Sequence, residues 1–217
     1  MGQGFGWPEF QFLLRGMAWT LALSALAFGG GGMAGLLVAV LRTGERAWLR
    51  RVMALYIGLF QGTPLLMQLF LAYYGLGLVG VKLPAWAAVA TGFTLNASAF
   101  LGDIWRGAIQ AVPRGQAEAA GALGLHRWSV LRLVVLPQAF RIAQPATVGY
   151  LVQLIKGTSL AALVGFIELA RAGQIVSNQT FQPIPVFGVV GLLYFALCWP
   201  LSWLSSRLEH RLAIATR

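Results

Sequence analysis

The sequence predicts an all-α integral membrane domain of five spans. Hydrophobic residues make up 58% of its 217 positions and charged residues only 10%. That shortage of charge runs along the whole chain, and five stretches reach the ~20 apolar residues a bilayer core asks of a helix. A soluble domain carries charge at roughly a quarter of its positions. Lipid is therefore the solvent for most of this surface.

The stretches are residues 12–41, 52–79, 83–104, 142–166 and 186–204, which leaves 105–141 as the largest loop. The first contains Gly29-Gly30-Gly31-Gly32. Four glycines in a membrane helix permit either a kink or the close approach of a neighbouring helix. No internal repeat and no low-complexity tail divides the chain, so 1–217 reads as one domain. The N-terminus lacks the basic patch and small-residue cleavage site of a secretory signal, and the first span is expected to be retained. The lone Cys198, inside an apolar run, rules out an internal disulfide framework and reads as buried filler.

The formal charge of +10 is distributed as membrane topology, not as a nucleic-acid surface. Arg42, Arg46, Arg50 and Arg51 lie between spans one and two, and Arg106, Arg114, Arg127, Arg132 and Arg141 between spans three and four. Arg207, Arg211 and Arg217 follow span five. Against these twelve, the other side holds Arg15, Lys82 and Arg171. Basic residues stay in the cytoplasm, which predicts the N-terminus outside and the C-terminus inside. No basic stripe with interleaved aromatics is left to track phosphates, so nucleic acid is not an expected partner.

The 105–141 loop is the informative one. Gln116 to Leu123 are strong helix formers with Glu118 in the first turn, and Gly124 supplies the stop. A second amphipathic stretch follows, with Pro137 expected to end it. Two such short helices either present a knob to a cytoplasmic partner or lie on lipid head groups. Their spacing, Glu118-Ala119-Ala120, Gly124, then Val134-x-Leu136-Pro137, resembles the "EAA" loop of ABC importer permeases. In that family the loop is a coupling helix that docks into a cleft on an ATP-hydrolysing subunit.

The resemblance narrows to the polar amino acid branch, the histidine, glutamine, arginine and glutamate type. Gly62-Thr63-Pro64-Leu65-Leu66-Met67-Gln68 in span two is similar to its Arg-Gly-Thr-Pro-Leu-Leu-x-Gln segment. The run from Ala99 through Asp103, Arg106, Gly107 and Pro113 to Gln116, and Lys156-Gly157-Thr158-Ser159-Leu160 in span four, also match. The resemblance implies a type I ABC importer permease fold that moves a polar amino acid across the bacterial cytoplasmic (inner) membrane by alternating access. Implied partners are two ATP-binding cassette subunits, a second permease (copy or paralogue), an extracytoplasmic amino acid-binding protein, the amino acid and the lipid bilayer. No cofactor is expected on this chain, because ATP and Mg belong to the partner ATPase. The chain has no phosphate loop of its own and reads as a non-catalytic subunit. A secondary transporter or channel subunit for small polar solutes is the alternative.

Polar residues inside spans are costly and so mark candidate sites. Asp103 and Arg106, three apart, form either an intrahelical ion pair or a pathway carboxylate for a substrate amino group. A glutamate matches Asp103 in relatives. Lys156, Thr158 and Ser159 either line the pathway in a broken helix or sit in a kink whose hydroxyls bond back to the preceding turn. Thr63, Pro64 and Gln68 are weighed alike: a simple proline kink, or channel lining by Gln68. Two departures bear on the substrate. Gln61 stands where relatives often carry Arg, which weakens the case for an acidic substrate. Gly157 stands where many carry Asp, which removes one reason to expect a cationic one. The departures leave the substrate's charge open, with a lean towards a neutral polar or acidic amino acid.

Overall fold

The computed structural model describes residues 4–215, with side chains to Leu212, and every element among them is helical. Arg217, counted above among the cytoplasmic charges, lies outside the described residues.

Helix α1 (Trp7–Thr43) runs unbroken for 37 residues. Pro8 fits its first turn because the missing N–H had no partner there. Glu9 accepts the Gly6 N–H at 2.9 Å. The glycine-rich centre serves close approach. A Cβ on Gly31 would collide with that of Ala97 on α5 (Ala85–Ala111), and one on Gly35 would lie 3.0 Å from the Ser98 carbonyl. Gly31 and Gly35 are four apart and share one face, the small-residue seam that lets two membrane backbones meet.

The second predicted span is not one helix. α2 (Ala47–Gly62) stops at Thr63, and the chain resumes at Leu65 bent by 104°. The local cause is Pro64, which drives the preceding residue out of helical geometry; Thr63 has ψ 143°. Beyond the bend come α3 (Leu65–Phe70), a wide π-type turn (Leu71–Gly75) and the single turn α4 (Leu76–Leu78).

α5 begins close to the expected start of span three but continues to Ala111, so Asp103 and Arg106 sit inside a helix. Among the described residues, three helical stretches are long and apolar enough to cross a membrane: Trp7–Thr43, Arg127–Val164 and Pro183–Leu212. The bent pair adds a fourth. α5 falls short in apolarity because it carries Thr91, Thr94, Asn96, Ser98, Asp103 and Arg106. Its 27 residues are about 40 Å long, and α1, α2 and α8 pack against it, so Asn96 and Ser98 are buried against protein while Thr91 stays exposed.

The cytoplasmic-type loop contains α6 (Arg114–Ala122), closed by a Schellman turn. Leu125 N–H donates to the Ala120 carbonyl at 3.2 Å and Gly124 N–H to Gly121 at 2.9 Å, with Gly124 at φ +82°. The next expectation is corrected. Pro137 does not end the second stretch: α7 (Arg127–Val130), a π-type turn (Leu131–Val135) and α8 (Leu136–Gly157) follow without interruption. The wide turn directly ahead of the proline opens the ladder where the ring would clash and the N–H is missing. Gln138 Nε2 also reaches back to the Val134 carbonyl at 3.0 Å.

α8 tightens into a 3₁₀ segment (Thr158–Val164) that ends at Gly165, φ +85°. α9 (Leu169–Thr180) is then a packed helix. It is wedged between α1 and α10 (Pro183–Ala215) through Leu169, Ala172 and Val176. Thr180 is buried and donates to the Val176 carbonyl. Leu78, Met33, Leu55 and Leu192 are all exposed, the inside-out pattern of a lipid-facing surface.

Candidate functional site

The break at Thr63-Pro64 leaves carbonyls without partners. In an unbroken helix the Phe60 carbonyl would accept from residue 64, and proline has no N–H to give. Gln68 repairs the gap: its Nε2 lies 2.9 Å from the Phe60 carbonyl, 3.1 Å from the Thr63 carbonyl and 3.0 Å from Thr63 Oγ1. The Thr63 hydroxyl in turn donates to the Leu59 carbonyl at 2.7 Å. Thr63, Pro64 and Gln68 thus act as one device, a stabilised bend.

A polar chain extends inward from that bend. Asn96 Nδ2 donates to Gln68 Oε1 at 3.0 Å, and the Tyr150 hydroxyl donates to Asn96 Oδ1 at 3.1 Å. It links the broken helix to α5 and α8. Tyr150 stacks on Phe100 at 5.3 Å between ring centroids. Beside this chain opens a cavity of about 170 Å³ walled by Phe60, Gln61, Thr63, Leu65, Asn96, Phe100, Tyr150, Gln153 and Leu154. It is smaller than a drug-sized pocket and suits a metabolite-sized ligand.

Asp103 stands just outside these walls. Its Oδ1 accepts from Arg106 Nε at 3.0 Å and Nη2 at 2.8 Å, while Arg106 Nη1 also donates to Gln110 at 2.6 Å. Gln61 Nε2 approaches Asp103 Oδ2 at 3.5 Å and is its one link to the cavity. On α8, Lys156 is exposed and has no acidic partner among the described residues. Thr158 is fully buried and donates to the Ile155 carbonyl at 2.7 Å, and Ser159 donates to Lys156 at 2.8 Å. Both hydroxyls therefore bond back to the preceding turn, and neither residue lines the cavity.

The structure thus brings Thr63 and Gln68 together with Asn96, Tyr150 and Gln153, three residues absent from the sequence-level candidates. Asn96 and Tyr150 were visible only as polar groups in apolar runs. Nothing in the sequence set Gln153 apart.

At the loop, Glu118 and Ala119 face outward while Ala120 is buried. Gly124, Leu136 and Pro137 are exposed, and Leu123 at the tip is 84% exposed beside an exposed Trp128. Arg127 pairs with Glu45 of the α1–α2 turn at 3.0 Å, which places both loops at the same end of the bundle. At the opposite end, Phe5 N–H donates to Gln182.

Comparison with known proteins agrees with this architecture. The family model described as binding-protein-dependent transport system inner membrane component matches residues 31–214. The probable amino-acid ABC transporter permease protein YckA of Bacillus subtilis is 36% identical over 190 residues, 88% of this chain and 84% of its own. The glutamine transport system permease protein GlnP of Escherichia coli K12 is 35% identical over 212 residues, 96% of each chain. Among solved structures, an amino acid ABC transporter crystallised with histidines superposes with a TM-score of 0.87 at 32% identity, covering 93% of this chain and 94% of that one. The inward-facing MetNI methionine transporter shares the fold, with a TM-score of 0.78 at 23% identity over 95% of this chain and 99% of that one. A multi-pass helical bundle, a proline break bridged by Gln68 and a match over most of the chain lead to one assignment: the chain belongs to the binding-protein-dependent transport system inner membrane component family, the permeases of ABC transporters.

Proposed function

We propose that this chain is the permease subunit of an ATP-driven importer for a polar amino acid. The observation that carries the reading is the cavity at the bend, a small polar chamber walled by Gln61, Thr63, Asn96, Tyr150 and Gln153 within an apolar bundle. Gln61, Thr63 and Gln153 are exposed and so open to a solute, with the buried Asn96 and Tyr150 behind them. Membership of the permease family removes the secondary-transporter alternative.

In this reading 1–217 acts as one domain in the bacterial cytoplasmic membrane, with its N-terminus outside and C-terminus inside as the charge bias implies. A second permease, copy or paralogue, completes the pathway. Two ATP-binding subunits hold ATP and Mg and dock on α6, where Glu118 and Ala119 face outward while Ala120 anchors the helix. Closure of those subunits drives alternating access, and a binding protein delivers the amino acid from outside. Asp103, Lys156, Thr158 and Ser159 surround the pathway as supports, with Lys156 the free cation among them.

The test is reconstitution of the permease with its ATPase and binding protein in liposomes. ATP-dependent accumulation of a labelled polar amino acid is the expected result. Uptake that proceeds without ATP, or that never includes an amino acid, would overturn the reading.

A further inference from the structure

We infer that the chamber selects amino acids whose side chain is uncharged and ends in a hydrogen-bonding group such as a carboxamide, and that Gln153 reads that group. The inference rests on the importer reading and deepens it. It follows from charge accounting. Of the nine wall residues none is an acid or a base apart from the phenol of Tyr150. The nearest carboxylate, Asp103, is neutralised by two N–H donors of Arg106 and lies behind Gln61. A cationic side chain would add a second positive charge, beyond the α-ammonium common to every amino acid, to a chamber whose walls hold no carboxylate, and an unpaired ion is strongly unfavourable there.

The same accounting applies to anions. Lys156 lies one helical turn beyond Gln153 on the same exposed strip of α8 and has no acidic partner among the described residues. Lys156 stands outside the nine wall residues, at the chamber's edge in sequence, and one cation there matches the one carboxylate that every amino acid carries on its α-carbon. A second carboxylate on the side chain would have no cation left to meet.

What the chamber does offer is amides and hydroxyls. Asn96 is committed on both sides, to Gln68 and to Tyr150. Gln61 is drawn towards Asp103. Gln153 is exposed in the chamber wall and makes no hydrogen bond to any described residue. Its free donor and acceptor complement a carboxamide, which presents the same pair in reverse. A site built to hydrogen-bond such a group discriminates strongly against analogues that leave its own polar atoms unpaired.

The experiment is equilibrium binding to the purified permease–ATPase assembly in lipid nanodiscs, without binding protein, so that only this site is read. Labelled glutamine, asparagine, glutamate, lysine and arginine are titrated separately. Glutamine or asparagine is expected to bind at least tenfold more tightly than the three charged amino acids. In Gln153→Glu that preference should fall at least tenfold, with lysine or arginine gaining. Equal or tighter binding of a charged amino acid by the wild type overturns the inference while leaving the importer reading intact. An unchanged ranking in a well-assembled Gln153→Glu complex overturns the role of Gln153. Binding of none of the five overturns the importer reading, and this inference with it.

Discussion

The side-chain amide of Gln68 occupies the place of the backbone N–H that Pro64 lacks, donating to the Phe60 carbonyl at 2.9 Å. Removing it leaves the Phe60 and Thr63 carbonyls and the Asn96 amide short of partners. The Thr63 carbonyl is exposed and the other two groups are part-buried, and an unsatisfied buried group costs about 1–3 kcal/mol. Gln68→Ala should therefore lower stability by about 1–3 kcal/mol, read as a fall in the thermal midpoint of the purified complex. Gln68→Glu, which has no N–H to donate, should do no better. An unshifted midpoint in both variants would show that the bend holds without its bridge.

Glu168 is fully buried, forms no ion pair among the described residues, and ties three helices together. It accepts from Tyr194 at 2.7 Å, Thr20 at 3.4 Å, and the Ala170 and Arg171 N–H groups at 2.9 and 2.7 Å. Glu168→Ala is expected to cost about 2–4 kcal/mol, and Tyr194→Phe about 1–3, since each leaves buried polar groups without partners. Limited proteolysis at Arg171 should report the loosening of α9. Equal protease resistance in all three proteins would contradict this.

The α1–α5 seam predicts a contrast between neighbouring glycines. Gly31→Leu forces a side chain into Ala97, and overpacking typically costs about 1–3 kcal/mol. Gly29 has nothing within 4 Å of an added Cβ, so Gly29→Ala should be neutral. The yield of monodisperse protein after detergent extraction distinguishes them. Equal losses would mean that the glycines serve flexibility instead of contact.

For the loop, Glu118→Lys and Gly124→Asp should abolish uptake while membrane insertion stays normal. Co-purification of the ATPase is the accompanying measurement. Wild-type transport by both variants would remove α6 from the coupling path.

Most of the architecture could be read from the sequence because lipid imposes length and apolarity directly. α1 and α10 contain their predicted spans, while the fourth, 142–166, is divided between α8, which starts earlier at Leu136 and ends at Gly157, and the 3₁₀ segment that stops at Val164. Glycine at 124 predicted its turn correctly, since a positive φ at a helix end has few other solutions. Pro64 and Pro137 look alike in sequence, yet one breaks a span by 104° and the other passes inside a continuous helix. The difference lies in what compensates each, Gln68 in one case and the widened turn at Leu131–Val135 in the other. The site was harder to read. Thr158 and Ser159 advertised polarity that their own backbone consumes. Asn96, Tyr150 and Gln153 become neighbours only when α5 and α8 meet.

The unbroken run from Arg127 to Val164 has a mechanical meaning. Its 38 residues form a rod about 57 Å long, rooted at one end in the exposed loop and flanking the chamber with Gln153 two-thirds of the way along. A rod converts small rotations into large excursions. A tilt of about 10° pivoting near Pro145 carries Arg127, ~27 Å away, roughly 5 Å sideways, and moves Gln153 in the opposite sense. Pro145 is also where Ser205 of α10 bonds to the α8 backbone, at 2.8 Å, so the fulcrum is pinned to its neighbour. The loop and the chamber therefore lie on a single continuous helical stretch.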